Sequence, residues 1–231
     1  MIRIGGLQKT TLLDYPDKIA AAVFLVGCNF RCPYCHNPEL VMPNPKMELI
    51  KENDFFKFLK SRKNILEGVC VSGGEPLLQK DLPEFLHKIK SLGYLIKLDT
   101  NGYFPDKLRK MIKQNLIDYI AMDIKASEDK YEEASGIKVN IGLIKKSIKL
   151  IMNSKIPYEF RTTGLPRLHS LAEMKKIAKM IKGAELYSLQ RFNPGKTLDK
   201  SWQKEKSYTD KELADLRKVL LKYVKICQIR G

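Results

Sequence analysis

Ala20-Ala21-Ala22-Val23-Phe24-Leu25-Val26-Gly27-Cys28-Asn29-Phe30-Arg31-Cys32-Pro33-Tyr34-Cys35-His36-Asn37 joins two signals in one stretch. Residues 20–26 are an unbroken apolar run closed by a glycine, the pattern of a strand buried on both faces of a parallel sheet. Directly behind it come three cysteines, spaced by three residues and then by two. Soft thiolates this crowded are the ligand set of an iron–sulfur cluster or a zinc ion. A cubane cluster has four irons, so three protein thiolates leave one iron open to a further ligand. An open position is what separates a reacting metal site from a structural one.

Three plainer readings compete. Structural zinc takes four ligands, commonly as two spaced pairs; here Cys70 and Cys227 stand alone, and His36 adjoins Cys35 too closely to complete a tetrahedron easily. A disulfide framework sits badly with an odd total of 5 cysteines and no recognisable signal peptide. Two-cluster ferredoxins use a denser run with a fourth cysteine followed by proline, which this chain lacks.

Working outward, strands and helices alternate. Residues 1–18 read as a turn-prone lead-in that bends at Asp14-Tyr15-Pro16-Asp17. Helices are expected at 51–62, after Asp81 with Glu84 as a capping box, and from Pro105 to about 115. Leu143, Ile144, Ser147, Ile148 and Ile151 keep helical spacing, and further helices open at Ser170 with Glu173 and at Thr209 with Glu212. Strands are expected at 20–26, 69–71, 95–98, 119–122, 158–162 and 186–189. The apolar stripe Leu213, Leu216, Leu220, Tyr223 on the last helix reads as core packing. Six β/α units require a parallel sheet with helices outside, an α/β fold of partial (β/α)6 TIM-like barrel type. One domain over 1–231 is expected, with 19–195 as barrel core and 196–231 as a helix-bearing extension. Each polar motif follows a strand, so all should meet on the C-terminal face of the barrel.

Composition sets limits. With 44% hydrophobic and 29% charged residues the chain is that of a soluble globular protein, and its apolar runs are too short to span a bilayer. A cytoplasmic location, where thiols stay reduced, is the expectation. The net charge of +16 raises the question of nucleic acid, but the lysines are dispersed along helical stretches, the pattern of a solvated surface. Such a surface would also steer an acidic partner toward the cluster.

The spacing Cys28-x3-Cys32-x2-Cys35, with Tyr34 before the last thiol, resembles the signature of the radical S-adenosylmethionine (SAM) enzymes. That resemblance implies a 4Fe–4S cluster on Cys28, Cys32 and Cys35 whose free iron chelates SAM. Ser72-Gly73-Gly74-Glu75-Pro76 resembles the family's second motif, implying that Gly73, Gly74 and Glu75 lie near the SAM amino group. Two glycines would let the backbone approach the ligand closely. Asp99-Thr100-Asn101-Gly102 and Asp123-Ile124-Lys125 resemble a narrower group, the activating enzymes of glycyl radical enzymes. There the matching residues imply contacts to SAM and, in some members, to a monovalent cation. Lys125 suits the SAM carboxylate, and acidic oxygens suit a hydroxyl or a hard cation. Helix capping or a surface ion pair is the plainer account of Asp99 and Asp123.

Arg161 lies in an apolar strand, and a buried arginine needs an anion, which makes it a second candidate for the SAM carboxylate. Tyr34 is expected beside the adenine through its backbone, and His36 and Asn37 continue the Cys-His-Asn run of the activase group. Phe192 stands where several activases carry a histidine packing on adenine; it could still stack, without the polar contact. The run from Gly5-Gly6-Leu7-Gln8-Lys9-Thr10 through Asp14-Tyr15-Pro16 to Cys35-His36-Asn37-Pro38-Glu39-Leu40 is similar to the longer anaerobic ribonucleoside-triphosphate reductase activating proteins. The implied activity is reductive cleavage of SAM and formation of a glycyl radical on that reductase, with flavodoxin or ferredoxin as electron donor. The rivals are activation of a pyruvate formate-lyase-like enzyme, and a radical SAM enzyme acting on a small molecule, as in deazapurine or cofactor biosynthesis. A zinc-bound or basic nucleic-acid-binding module is the rival of a different class. His87 and His169 receive no role.

Overall fold

The computed structural model describes residues 1–231. One sheet of eight strands runs in sequence order. β1 (Ile4–Thr11) is antiparallel to β2 (Ala20–Leu25). From β2 onward all neighbours are parallel: β3 (Gly68–Gly73), β4 (Leu95–Thr100), β5 (Tyr119–Asp123), β6 (Tyr158–Gly164), β7 (Leu186–Arg191) and β8 (Ile226–Arg230). The connections carry α1 (Pro38–Val41), α2 (Glu52–Ser61), α3 (Leu82–Ser91), α4 (Pro105–Lys113), α5 (Tyr131–Ser135), α6 (Ile141–Met152), α7 (Leu171–Met180) and α8 (Asp210–Leu220).

β2 to β7 are the six strands legible in the sequence. The two edge strands are additions. The lead-in is not merely a turn: the bend at residues 14–17 closes a hairpin, and β1 pairs along β2 with two register irregularities. Its Gly5-Gly6 and Lys9-Thr10-Thr11 lack clean alternation, so the sequence hides it. The C-terminal extension likewise ends in a strand, which draws its order from Tyr187 and Leu189 beside it on β7.

Helix ends follow their caps unevenly. Thr209 and Glu212 form a complete capping box on α8. Ser170 receives the Glu173 N–H at the start of α7, but the Glu173 carboxylate turns to Ser127 and Lys176 instead of back to the cap. Asp81 does not cap α3; its carboxylate pairs with the amino terminus of Met1.

The parallel sheet has two unlike faces. Outward-pointing residues of alternating register, among them Val69, Val71, Ile96, Leu98, Ile120, Met122, Phe160, Tyr187 and Leu189, are buried under the helices in one continuous core with Ile144, Ile177, Leu213 and Leu220. The alternate positions carry Cys70, Ser72, Lys97, Asp99, Asp123, Glu159, Arg161 and Ser188, and these bond to one another across the strands. Barrel interiors of this class are ordinarily filled by branched aliphatics. This one is polar from Glu159, which bonds Ser188 and Arg230, up to the strand ends.

Candidate active site

The three cysteines occupy a loop held from four directions. Gly27 N–H donates to Leu40 O at 2.7 Å and Arg31 N–H to Ser135 O, at the end of α5, at 2.7 Å. Cys35 N–H closes a tight turn onto Cys32 O at 3.0 Å, and Asp199 N–H reaches Pro33 O from the C-terminal segment at 2.9 Å. Tyr34 packs its ring on Trp202, with centroids 5.8 Å apart. The fourth hold is the glycine pair: Gly74 N–H donates to Leu25 O at 2.9 Å and Glu75 N–H to Gly27 O at 2.8 Å.

That last contact changes the reason for the glycines. A Cβ on Gly74 would lie 2.1 Å from Gly27 O and 3.2 Å from Cys28 Cβ, and one on Gly73 (φ +122°) would lie 2.2 Å from Leu25 N. Both residues border the cavity, but it is the backbone of β2 and of the cysteine loop that excludes a side chain. Glu75, expected next to the ligand, lies behind the cavity wall. It is fully buried, and its carboxylate accepts from Leu77 N–H (3.0 Å), Thr100 Oγ1 (2.9 Å) and Asn101 N–H (2.7 Å). Burial, only partly offset by those donors, pushes its acid up to about 7. Its work is to fasten the loop after β4, whose Asn101 amide in turn donates to Asn29 Oδ1 at 2.9 Å.

The floor of the cavity is a ladder of charge. Asp99 Oδ2 accepts from Ser72 Oγ (3.0 Å) and Arg161 Nη1 (3.1 Å), while Oδ1 pairs with the Lys97 ammonium. Asp123 Oδ1 accepts from Arg161 Nε (2.8 Å) and Oδ2 from Lys125 Nζ (2.9 Å). Neither aspartate caps a helix. Burial works against their carboxylates, but Arg161 with Lys97 beside Asp99, and Arg161 with Lys125 beside Asp123, outweigh it and hold both acids below their usual range. The anion that Arg161 needs is thus supplied by the protein. Three cations against two carboxylates leave one positive charge, so the floor suits a ligand carrying one carboxylate.

Cys28, Cys32, Cys35, Tyr34, His36, Gly73, Gly74, Asp99, Thr100, Asp123, Lys125 and Arg161 all border one cavity of about 250 Å³ at the C-terminal ends of the strands. Phe192 does not: it is fully buried and its ring stacks on His36, centroids 5.4 Å apart. Sequence reading missed Ser72, Asn101, Thr163 and Gln190 on the wall. It also missed His169, whose Nδ1 accepts from Leu165 N–H at 3.1 Å, so that Nε2 carries the proton and donates to Lys125 O at 2.9 Å. Burial drives its pKa down to about 4, and the neutral ring pins the Lys125 backbone. Lys97 was equally overlooked.

No three Cys, His, Asp or Glu side chains converge as they would around one ion. A cubane fits better, because it takes its thiolates at separate corners, and the three free thiols border a shared space. Burial raises Cys28 to about 11 and Cys32 to about 12, so metal loading must expel protons.

The profile described as the Radical SAM superfamily matches residues 22–182, the span from β2 to the end of α7. The chain belongs to the radical SAM superfamily. Membership implies a 4Fe–4S cluster and SAM, and the cysteine loop fits the first. A Methanocaldococcus jannaschii protein bearing the provisional name glycyl-radical enzyme activating enzyme is 35% identical, covering 98% of this chain and 95% of its own. The pyruvate formate-lyase-activating enzyme of Clostridium pasteurianum is 32% identical over 97% of this chain and 98% of its own. Among solved structures, SuiB of Streptococcus suis bound to S-adenosylmethionine superposes with a TM-score of 0.66 at 16% identity over 88% of this chain. The chain spans 48% of SuiB, and that likeness shows the fold alone.

Proposed function

We propose that this chain is the activating enzyme of a glycyl radical enzyme, and that its partner is an anaerobic ribonucleoside-triphosphate reductase. The observation that carries the reading is the meeting of the cysteine loop, the glycine turn and a floor with one unbalanced positive charge in a single cavity. Cys28, Cys32 and Cys35 would hold the cluster; Lys125 and Arg161 would take the SAM carboxylate, and Gly73 and Gly74 would offer backbone to its amino group. When bound, cluster and SAM supply the electron and the carbon radical needed to take a hydrogen atom from a glycine. The protein's part is to orient the sulfonium and to exclude water, which the buried floor and the packed Tyr34–Trp202 side favour.

Support for a protein substrate comes from the two relatives aligned over nearly the whole chain, both named as activating enzymes. The second also supports another partner, a pyruvate formate-lyase-like enzyme. A flavodoxin or ferredoxin is the proposed electron donor and an anaerobic cytoplasm the proposed setting; no helix is long and apolar enough to cross a membrane. A monovalent cation finds both aspartates already paired. The test is electron paramagnetic resonance of the reduced, cluster-loaded protein mixed with SAM and each candidate enzyme. A glycine-centred doublet with the reductase is expected; a doublet only with the lyase changes the partner, and SAM cleavage without either refutes the activase reading.

A further inference from the structure

Lys97 precedes Asp99 by two residues on β4 and so shares its face, one pleat deeper in the barrel. Its side chain is 1% exposed, and its ammonium reaches Asp99 Oδ1 and lies 3.8 Å from Cys70 Sγ. Asp99 borders the cavity; Lys97 does not. Two carboxylates on one cavity floor would ordinarily attract a hard cation from solvent. Here every carboxylate oxygen of Asp99 and Asp123 is bonded to a side chain of the chain itself: Lys97 and Ser72 with Arg161 on the first, Arg161 and Lys125 on the second. Burying a lysine is expensive, and an apolar pair in place of Lys97 and Asp99 together would be no less stable, so the charge at 97 points to a role beyond packing.

We propose that Lys97 is a positioning residue that serves as a built-in monovalent cation: its ammonium orients and neutralises Asp99 from below, so SAM binding needs no free Na+ or K+. The proposal rests on reading the cavity as the SAM site. Removing the ammonium while keeping the apolar stem, as in Lys97→Met, leaves Asp99 Oδ1 without a partner and vacates the ammonium's place, where a free cation can sit.

The experiment measures SAM binding to the full, cluster-loaded chain at constant ionic strength in tetramethylammonium, sodium, potassium or ammonium chloride. Wild type should bind equally in all four, within about twofold. Lys97→Met should bind about tenfold more weakly in tetramethylammonium and recover with potassium or ammonium. The double variant Lys97→Met/Asp99→Asn should lose that salt response, because the carboxylate that attracts the ion is gone. Without the cluster, the thermal midpoint of Lys97→Met, unlike that of wild type, should rise with potassium more than with tetramethylammonium. Wild-type binding that requires sodium or potassium overturns the proposal, as does Lys97→Met binding at full strength in tetramethylammonium. Should Lys97→Met fail to fold, the wild-type salt series decides alone. A wild type that binds SAM in none of the salts refutes the cavity reading itself.

Discussion

Strands β4, β5 and β6 carry two chemistries on one backbone. Facing the helices, Ile96, Leu98, Ile120, Met122 and Phe160 are removed from water and packed. Facing the barrel axis, Lys97 is as thoroughly removed from water while Asp99, Asp123 and Arg161 are half-buried at the cavity, and the four hold one another by charge. The outer face gains by loss of apolar surface, about 25 cal/mol per Å². The inner face gains little net stability, since desolvation of buried ions offsets their attraction. The lesson is that the outer face makes the fold and the inner face makes the binding site, with β-pleating alone separating them.

Four substitutions probe that division. The largest effect is expected of Cys32→Ala: iron–sulfur absorbance after anaerobic reconstitution and the glycyl radical signal should both vanish while circular dichroism stays native. A retained signal breaks the ligand assignment. On the outer face, Phe160→Ala should cost about 3–5 kcal/mol in denaturant unfolding and leave SAM affinity unchanged; a change in affinity would mean the faces are coupled. On the inner face, Lys125→Met should do the reverse. Asp123 keeps Arg161 as partner, so stability should fall by only about 1–2 kcal/mol, while SAM affinity drops about tenfold or more by equilibrium dialysis.

The smallest effect concerns His169. Its folded pKa of about 4 lies below the ordinary 6.5, so the neutral ring contributes stability that is complete above pH 6.5 and lost as pH falls toward 4. His169→Gln should flatten stability across that window by up to roughly 1.4 kcal/mol per pH unit. An unchanged slope would remove His169 from the acid response.

The sequence exposed much of this, and its failures have physical causes. β2 to β7 were legible because a strand covered on its helix side shows a dense apolar run followed by a polar turn. β1 and β8 were not, because each is an edge strand whose order comes from its neighbour. The cavity wall was legible where motifs are contiguous, at Cys28 to Cys35, Gly73 with Gly74, and Asp99 with Thr100. Lys97 and Ser72 were hidden although period-two alternation puts Lys97 with Asp99; the surrounding apolar residues masked it. Glu75 and Phe192 went the other way. Spacing placed them near the site, but whether a side chain faces the cavity or the wall behind depends on backbone angles that only the folded loop fixes.

The cysteine loop depends on partners far apart in the chain: Ser135 for Arg31, Asp199 for Pro33 and Trp202 for Tyr34. A ribosome synthesising this protein therefore releases the three thiols long before the segments that shape their surroundings exist. A truncation near residue 190 would yield a chain that keeps every cysteine of the motif, with the Leu40, Ser135 and glycine-turn holds, yet leaves Pro33 and Tyr34 without the braces of Asp199 and Trp202.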